Sequence, residues 1–71
     1  MLSTVYITSN NGTLSESGDV LEYFDYKGNK TKLLPNKVTQ IIVIGRLTIT
    51  GGAFAILFLH QIDVIFIKKN G

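Results

Sequence analysis

The chain has 71 residues, a net charge of +2 and 45% apolar residues, and it contains no cysteine. This length allows one small domain, which buries only about 60% of its unfolded surface. The lack of cysteine excludes disulfides and thiolate metal sites, and a charge of +2 is weak evidence for a nucleic-acid partner.

The N-terminal half predicts short antiparallel strands joined by turns. Asn11-Gly12 is a strong hairpin signal, and Pro35 cannot donate to a strand ladder, so it ends the last of these strands. The spacing of about 8–12 residues is typical of all-β modules. The predicted strands of this hairpin meander are residues 4–8, 13–16, 20–25 and 31–34.

The C-terminal half predicts a strand–helix–strand unit. Residues 40–44 form a β-branched run, Gly45-Arg46 breaks it, and residues 47–50 alternate as a further short strand. Thr50 is a suitable N-cap for a helix over residues 51–60, and residues 62–67 form the last strand. The fold class is therefore mainly β (α+β), with a βαβ crossover if the flanking strands are parallel.

The predicted helix is apolar on nearly all sides. Its spacing places four side chains on one face: Ala53, Phe54, Leu57 and Phe58. The glycines at its start weaken the first turn by about 1 kcal/mol each relative to alanine, and they allow close backbone approach.

Apolar residues are concentrated in the second half. They make up 19 of the 30 residues 38–67 but only 13 of the 37 residues 1–37. A membrane span needs about 20 predominantly apolar residues, whereas the longest run of this apolar half without a charged residue or histidine, residues 47–59, has 13. We expect another domain or a second copy to cover part of this surface.

The charges lie in two blocks. The acids Glu16, Asp19, Glu22 and Asp25 precede the lysines Lys27, Lys30, Lys32 and Lys37. The favoured interpretation is opposite charges paired across a hairpin, each pair contributing at most about 1 kcal/mol. The alternative is a basic strip that contacts phosphate.

No residue pattern indicates catalysis. Two pairs of side chains are candidates for acid–base or metal chemistry, His60 with Asp63 and Glu16 with Glu22. Nothing else of such a site accompanies either pair. Gly51-Gly52 could form an anion site, but the lysine of a phosphate-binding loop is missing. Lys68-Lys69 is interpreted as a solvated strand end. No catalytic, cofactor-binding or metal-binding residue is assigned.

The order of several short motifs resembles a known family. The motifs are the opening strand Thr4-Val5-Tyr6-Ile7, Leu34-Pro35, the run Ile41-Ile42-Val43-Ile44-Gly45, then Leu47-Thr48-Ile49-Thr50, a helix with Ala53 and Leu57, Ile62-Asp63-Val64-Ile65-Phe66, and Gly71. In this order, over essentially the full chain, they resemble the N-terminal β-domain of the CRISPR-associated adaptation endonuclease/integrase family.

The resemblance implies a function that lies mostly outside these residues. The family protein is a metal-dependent DNA nuclease and integrase that inserts spacers into CRISPR arrays. Its Mg or Mn ligands, a Glu, a His and an Asp, lie in a following helical domain, so residues 1–71 are expected to be a fragment and inactive alone. Neither His60 nor Asp63 matches a family metal position.

The family also implies partners for the β-domain. These are a second copy, double-stranded DNA and a second adaptation subunit, in the cytoplasm and without a membrane. Two other interpretations remain open from the residues alone. One is a stand-alone β-rich protein-interaction module without a nucleic-acid role, and the other is a small enzyme with His60 as base.

Overall fold

The computed structural model describes residues 3–68, which form one mixed five-stranded sheet and one α-helix. A single turn of 3-10 helix, Pro35–Lys37, precedes β4. The strand order across the sheet is β3-β2-β1-β4-β5, so the longest strands lie at its centre. The elements are β1 (Ser3–Ser17), β2 (Val20–Phe24), β3 (Lys30–Leu33), β4 (Val38–Ile49), α1 (Gly51–Leu59) and β5 (Asp63–Ile67).

Strand β1 runs unbroken through the segment predicted to be a hairpin turn. The prediction that Asn10-Asn11-Gly12 reverses the chain is wrong, because β1 pairs in parallel with β4 on both sides of this segment. The ladder steps from the pair Ser9↔Gly45 to the pair Gly12↔Leu47, so β1 contains one residue more than β4 at this point. The extra residue forms a β-bulge, which bends the strand without ending it. The Ser9 hydroxyl accepts a hydrogen bond from the Gly12 amide at 2.7 Å and closes the bulge.

Strand β4 is also continuous where two strands were predicted. It passes from residues 40–44 to residues 47–49 through Gly45, which has φ of 110°. The carbonyl group of Ser9 occupies the place that a Cβ on residue 45 would take. Glycine is therefore required here for both its left-handed backbone and its lack of a side chain. Gly45-Arg46, which the sequence predicted to be a break between two strands, is instead a bend that β4 shares with β1.

Strands β2 and β3 form the antiparallel hairpin that the sequence predicted. Asp25 ends β2: its carboxylate accepts hydrogen bonds from the backbone amides of Lys27 and Asn29, both at 2.9 Å, and from the Asn29 side chain at 3.0 Å. These bonds, that of the Asn29 side chain first, lower the pKa of Asp25 below its ordinary value. The turn is therefore favoured above the ordinary pKa of an aspartate and weakens as pH falls through the lowered value.

Helix α1 begins and ends within one residue of its predicted bounds. The Thr50 hydroxyl accepts from the Ala53 amide at 3.2 Å, which confirms the N-cap. The helix joins β4 to β5, and these neighbouring strands are parallel, as a βαβ unit requires.

The predicted buried face of the helix is only half right. Ala53 and Leu57 lie against the sheet, whereas Phe54 is 63% exposed and Phe58 is 82% exposed. Each phenylalanine follows a buried residue by one position, which turns it about 100° away around a helix of 3.6 residues per turn. Ile56, one position before Leu57, packs against the core instead.

The core lies between α1 and one face of the sheet. Leu14, Leu21, Ile41 and Val43 are fully buried at its centre. The remaining buried members are Ile7, Val38, Ala53, Leu57 and Ile62. Since the alternate residues of each central strand point to the opposite face, only half of the apolar side chains of β4 and β5 can reach this core.

The first turn of α1 contacts the C-terminal half of β1 through Gly52. The side chain of Glu16 fills the space where a Cβ on residue 52 would lie, whereas the space beside Gly51 is open. The carboxylate of Glu16 therefore lies close to the N-terminus of the helix, where the helix dipole favours a negative charge. This is the close approach that the two glycines were expected to allow.

We predict that Gly45→Ala lowers the free energy of unfolding by at least about 2 kcal/mol, because it adds backbone strain and a clash with Ser9. Urea denaturation followed by circular dichroism measures this. Gly18→Ala is the matched control, since Gly18 has φ of 61° but no atom within 4 Å of the added methyl group. A Gly45→Ala variant no less stable than Gly18→Ala would contradict the proposed requirement.

We predict that the two helix glycines respond differently to alanine. Gly51→Ala raises the free energy of unfolding by about 0.5–1 kcal/mol through helix propensity. Gly52→Ala gains less, because the new methyl group displaces Glu16. In a Glu16→Ala background, Gly52→Ala recovers the full gain. Urea denaturation measures these changes. If Gly52→Ala changes the free energy of unfolding equally in both backgrounds, the contact between Glu16 and residue 52 does not affect stability.

Candidate interaction surfaces

The two carboxylates weighed as a catalytic pair lie on opposite faces of the sheet. Glu22 is opposite Ser15 in the β1–β2 ladder, and Glu16 is opposite Leu21. Since neighbouring residues of a strand point to opposite faces, Glu16 lies on the helix side and Glu22 on the other. The structure therefore does not bring these carboxylates together.

His60 and Asp63 are each placed by the end of an element. His60 is the C-cap of α1, and its amide donates to the Ile56 carbonyl at 3.0 Å. Gln61 then adopts a left-handed backbone with φ of 55°, Ile62 is buried, and Asp63 begins β5 opposite Gln40. Both titratable side chains are exposed. Within residues 3–68, no group of three or more metal-ligating side chains comes together.

The cross-hairpin charge pairing is present at one position. Lys30 Nζ lies 3.5 Å from the Glu22 carboxylate, on the outer side of the β2–β3 hairpin. The register places Glu22 directly opposite Lys32, so the ion pair to Lys30 is diagonal. The lysine is about half exposed, and such a pair contributes little to stability.

The sheet face turned away from α1 carries apolar side chains on three adjacent strands, exposed on β1 and β5 and half-buried on β4. One row across β1, β4 and β5 consists of Tyr6, Ile42 and Ile65. A second row, two residues further along β4 and β5, consists of Ile44 and Ile67. Tyr6 is 68% exposed, and Ile65 and Ile67 are each more than two-fifths exposed. We call this five-residue surface the outer face. Tyr6, Ile65 and Ile67 are therefore not covered by other residues of the described chain, and their covering by another domain or a second copy stays a prediction.

A second apolar surface lies between the helix and the edge of the sheet. It is a groove of about 320 Å³ between α1 and strands β4 and β5. Phe54, Phe58 and Phe66 form its exposed rim, and we call it the helix groove. The rest of its lining is Ile49, Leu57, Ile62 and Val64.

The part of the chain that the structure describes contains no helix with the length and hydropathy of a membrane span.

A polar cleft, which sequence reasoning missed, lies beside the bulge. It has a volume of about 240 Å³, and Arg46 and Lys68 line it together with Ser9, Asn10 and Gly45. From the sequence, Gly45-Arg46 predicts only a break between two strands. The feature that could have indicated a functional role for Arg46 is its isolation, since it is the only basic residue between Val38 and His60. Lys69, the second residue of the predicted strand end, lies outside the described residues.

A family model for CRISPR associated protein Cas1 matches residues 5–71 of the chain. No curated protein matches it in sequence.

Solved structures of 16–20% sequence identity share its fold. A Cas1 protein from Thermotoga maritima, TM1797, is 20% identical over 93% of this chain and 21% of its own length, with a TM-score of 0.78. A TtCas1–DNA complex is 16% identical over 96% of this chain and 25% of its own, with a TM-score of 0.76. A casposase bound to integration product is also 16% identical, over 94% of this chain and 22% of its own, with a TM-score of 0.73.

The chain thus spans about a fifth to a quarter of the solved chains that it matches. The family match covers nearly every residue, and the fold matches Cas1 structures at the level of the whole sheet. The resemblance carried by the ordered motifs is confirmed, and the chain belongs to the CRISPR-associated Cas1 family, with the fold of the family's N-terminal β-domain.

Proposed function

We propose that residues 1–71 are the dimerising, DNA-associated β-domain of a CRISPR adaptation endonuclease/integrase. The observation that carries this proposal is the Cas1 family match over residues 5–71. The stand-alone interaction module without a nucleic-acid role is not favoured, because nothing in the fold sets this chain apart from the Cas1 β-domain.

Association with double-stranded DNA is supported by the proteins that share the fold. One solved relative is a Cas1 in complex with DNA, and another is a casposase bound to its integration product. In each case the shared fold covers at least 94% of this chain. The net charge of +2 is compatible with DNA but too small to supply tight binding alone.

Dimerisation is supported by the outer face. Its five side chains form two rows on a sheet, and a sheet buries such a face by packing against another sheet about 10 Å away. A second copy presents the same face, so a two-fold axis through it would bury both at once. Glu22 and Lys30 lie on the same side of the sheet but on β2 and β3, where they would form a polar rim.

We propose that the chemistry of the whole protein belongs to a region other than residues 1–71. The solved Cas1 chains are four to five times longer than the region that they share with this chain. We assign the divalent metal, Mg or Mn, and its Glu, His and Asp ligands to that further region, following the family. A second adaptation subunit and a cytoplasmic location belong to the same proposal.

We predict that the 71-residue chain forms a dimer and that Ile65→Glu disrupts it. Placing a charge at the centre of an apolar interface costs about 2 kcal/mol or more, which raises the dimer dissociation constant roughly 30-fold. Sedimentation velocity over a concentration series measures the constant. Phe58→Glu is the matched control, because it places the same charge on the helix groove.

Two results would contradict the outer-face dimer. One is a wild-type chain that stays monomeric at high micromolar concentration. The other is a Phe58→Glu variant that dissociates while Ile65→Glu remains dimeric, which would move the interface to the helix groove.

We predict that the 71-residue chain binds a DNA duplex without cutting it in the presence of Mg²⁺ or Mn²⁺. Fluorescence anisotropy measures binding, and electrophoresis of an end-labelled duplex measures cleavage. Metal-dependent cleavage that disappears in His60→Ala would overturn the assignment of the catalytic site to another part of the protein.

A further inference from the structure

The polar cleft lies beside the bulge, where β5 ends next to β1 and β4, which both continue. Residues 3–9 of β1 and the first part of β4 run parallel as far as the bulge pair Ser9↔Gly45, and β5 runs parallel to β4 as far as the pair Ile44↔Ile67. Asn10, Arg46 and Lys68 are the next residues along each segment, and all three line the cleft. The bulge in β1 and the end of β5 therefore bring a residue from each of three adjacent strands or strand ends to one cleft.

The charge of the cleft is purely positive. Its lining contains one arginine and one lysine and no carboxylate. Within residues 3–68 the only ion pair is that of Lys30 with Glu22, so neither cation of the cleft has a carboxylate partner there. Asp63 begins β5 and lies five residues before Lys68, or about 16 Å along an extended chain. At physiological salt this exceeds the screening length of about 8 Å.

The floor of the cleft is held rigid by the bulge. Ser9 is only 3% exposed, and its hydroxyl accepts from the Gly12 amide, so it acts as a positioning residue. Gly45 has no side chain, which brings the backbones of β1 and β4 together next to Arg46. Asn10 is exposed and adds an amide donor at the rim.

The size of the cleft suits a small, hydrated anion. A volume of about 240 Å³ holds roughly eight waters at about 30 Å³ each, so it accommodates a phosphate group with part of its hydration shell. A guanidinium presents paired donors that match phosphate oxygens, and an ammonium adds a point charge. Bringing an anion between Arg46 and Lys68 also relieves the repulsion between the two cations.

We propose that this cleft is a phosphate-binding site in which Arg46 and Lys68 contact the oxyanion and Asn10 donates from the rim. The phosphate is that of a nucleic-acid backbone or a free phosphate ion. The first source rests on the DNA association proposed above, and the second is independent of it.

The test compares two charge-matched double variants of the 71-residue chain. Arg46→Gln/Lys68→Gln removes both cations of the cleft, and Lys27→Gln/Lys37→Gln removes two exposed lysines elsewhere. All four side chains are exposed, so both variants are expected to keep the wild-type unfolding midpoint, which circular dichroism checks.

In the first arm, inorganic phosphate is titrated into ¹⁵N-labelled protein, with chloride of equal ionic strength as the reference. We expect chemical-shift changes confined to the amides of Asn10, Gly45, Arg46 and their neighbours. These changes disappear in the cleft variant and persist in the lysine control.

In the second arm, binding to a DNA duplex is measured by anisotropy between about 50 and 200 mM salt. Two phosphate contacts contribute about 1.8 to the slope of log K against log salt. We therefore expect the cleft variant to lose about 2 units of slope and up to about 100-fold in affinity at ~0.1 M salt. The lysine control keeps the wild-type slope to within about half a unit.

The outcomes separate this site from the proposed function. Phosphate-induced shifts with an unchanged DNA slope identify free phosphate as the ligand. DNA binding with an unchanged slope and no phosphate-induced shifts overturns the cleft site and leaves the proposed function standing. If no version binds DNA, the DNA association fails, and the phosphate titration alone decides the cleft.

Discussion

The parallel pairing of β1 with β4 is the constraint on which the rest of this fold depends. It joins residues about 35 positions apart, runs along nearly the full length of both strands, and places β2 on one side and β5 on the other. The two strands bend together at Ser9 and Gly45, where a glycine lets one backbone approach the other without a side chain between them. Every surface discussed above is defined by its position relative to this bent pair.

The same pairing explains why the molecule leaves apolar residues exposed. One helix covers one face of the sheet, and the fully buried side chains all belong to that single layer. The apolar residues of β4 and β5 lie on both faces of these strands, so alternate residues form the outer face. Strands that are apolar on both faces are typical of sheets covered on both sides. In the proposed function, another copy of the chain supplies this second layer.

The surfaces of the domain differ in polarity according to their position on the sheet. The outer face and the helix groove are apolar and suit protein contacts, whereas the cleft beside the bulge is polar and positive.

The sequence by itself determined the local structure and the family. The helix and its Thr50 cap, the β2–β3 hairpin with opposite charges on its strands, and the excess of apolar residues all depend on neighbours close in the chain, so short patterns predict them. Tertiary structure alone decided that Asn10-Asn11-Gly12 is a bulge, that Phe54 and Phe58 face outward, and that Arg46 and Lys68 line one cleft. Each of these depends on a strand or face far away in sequence. The hydrogen bonds of the β1–β4 ladder outweigh the turn preference of Asn-Gly, because the unbroken strand satisfies more backbone groups than a hairpin would.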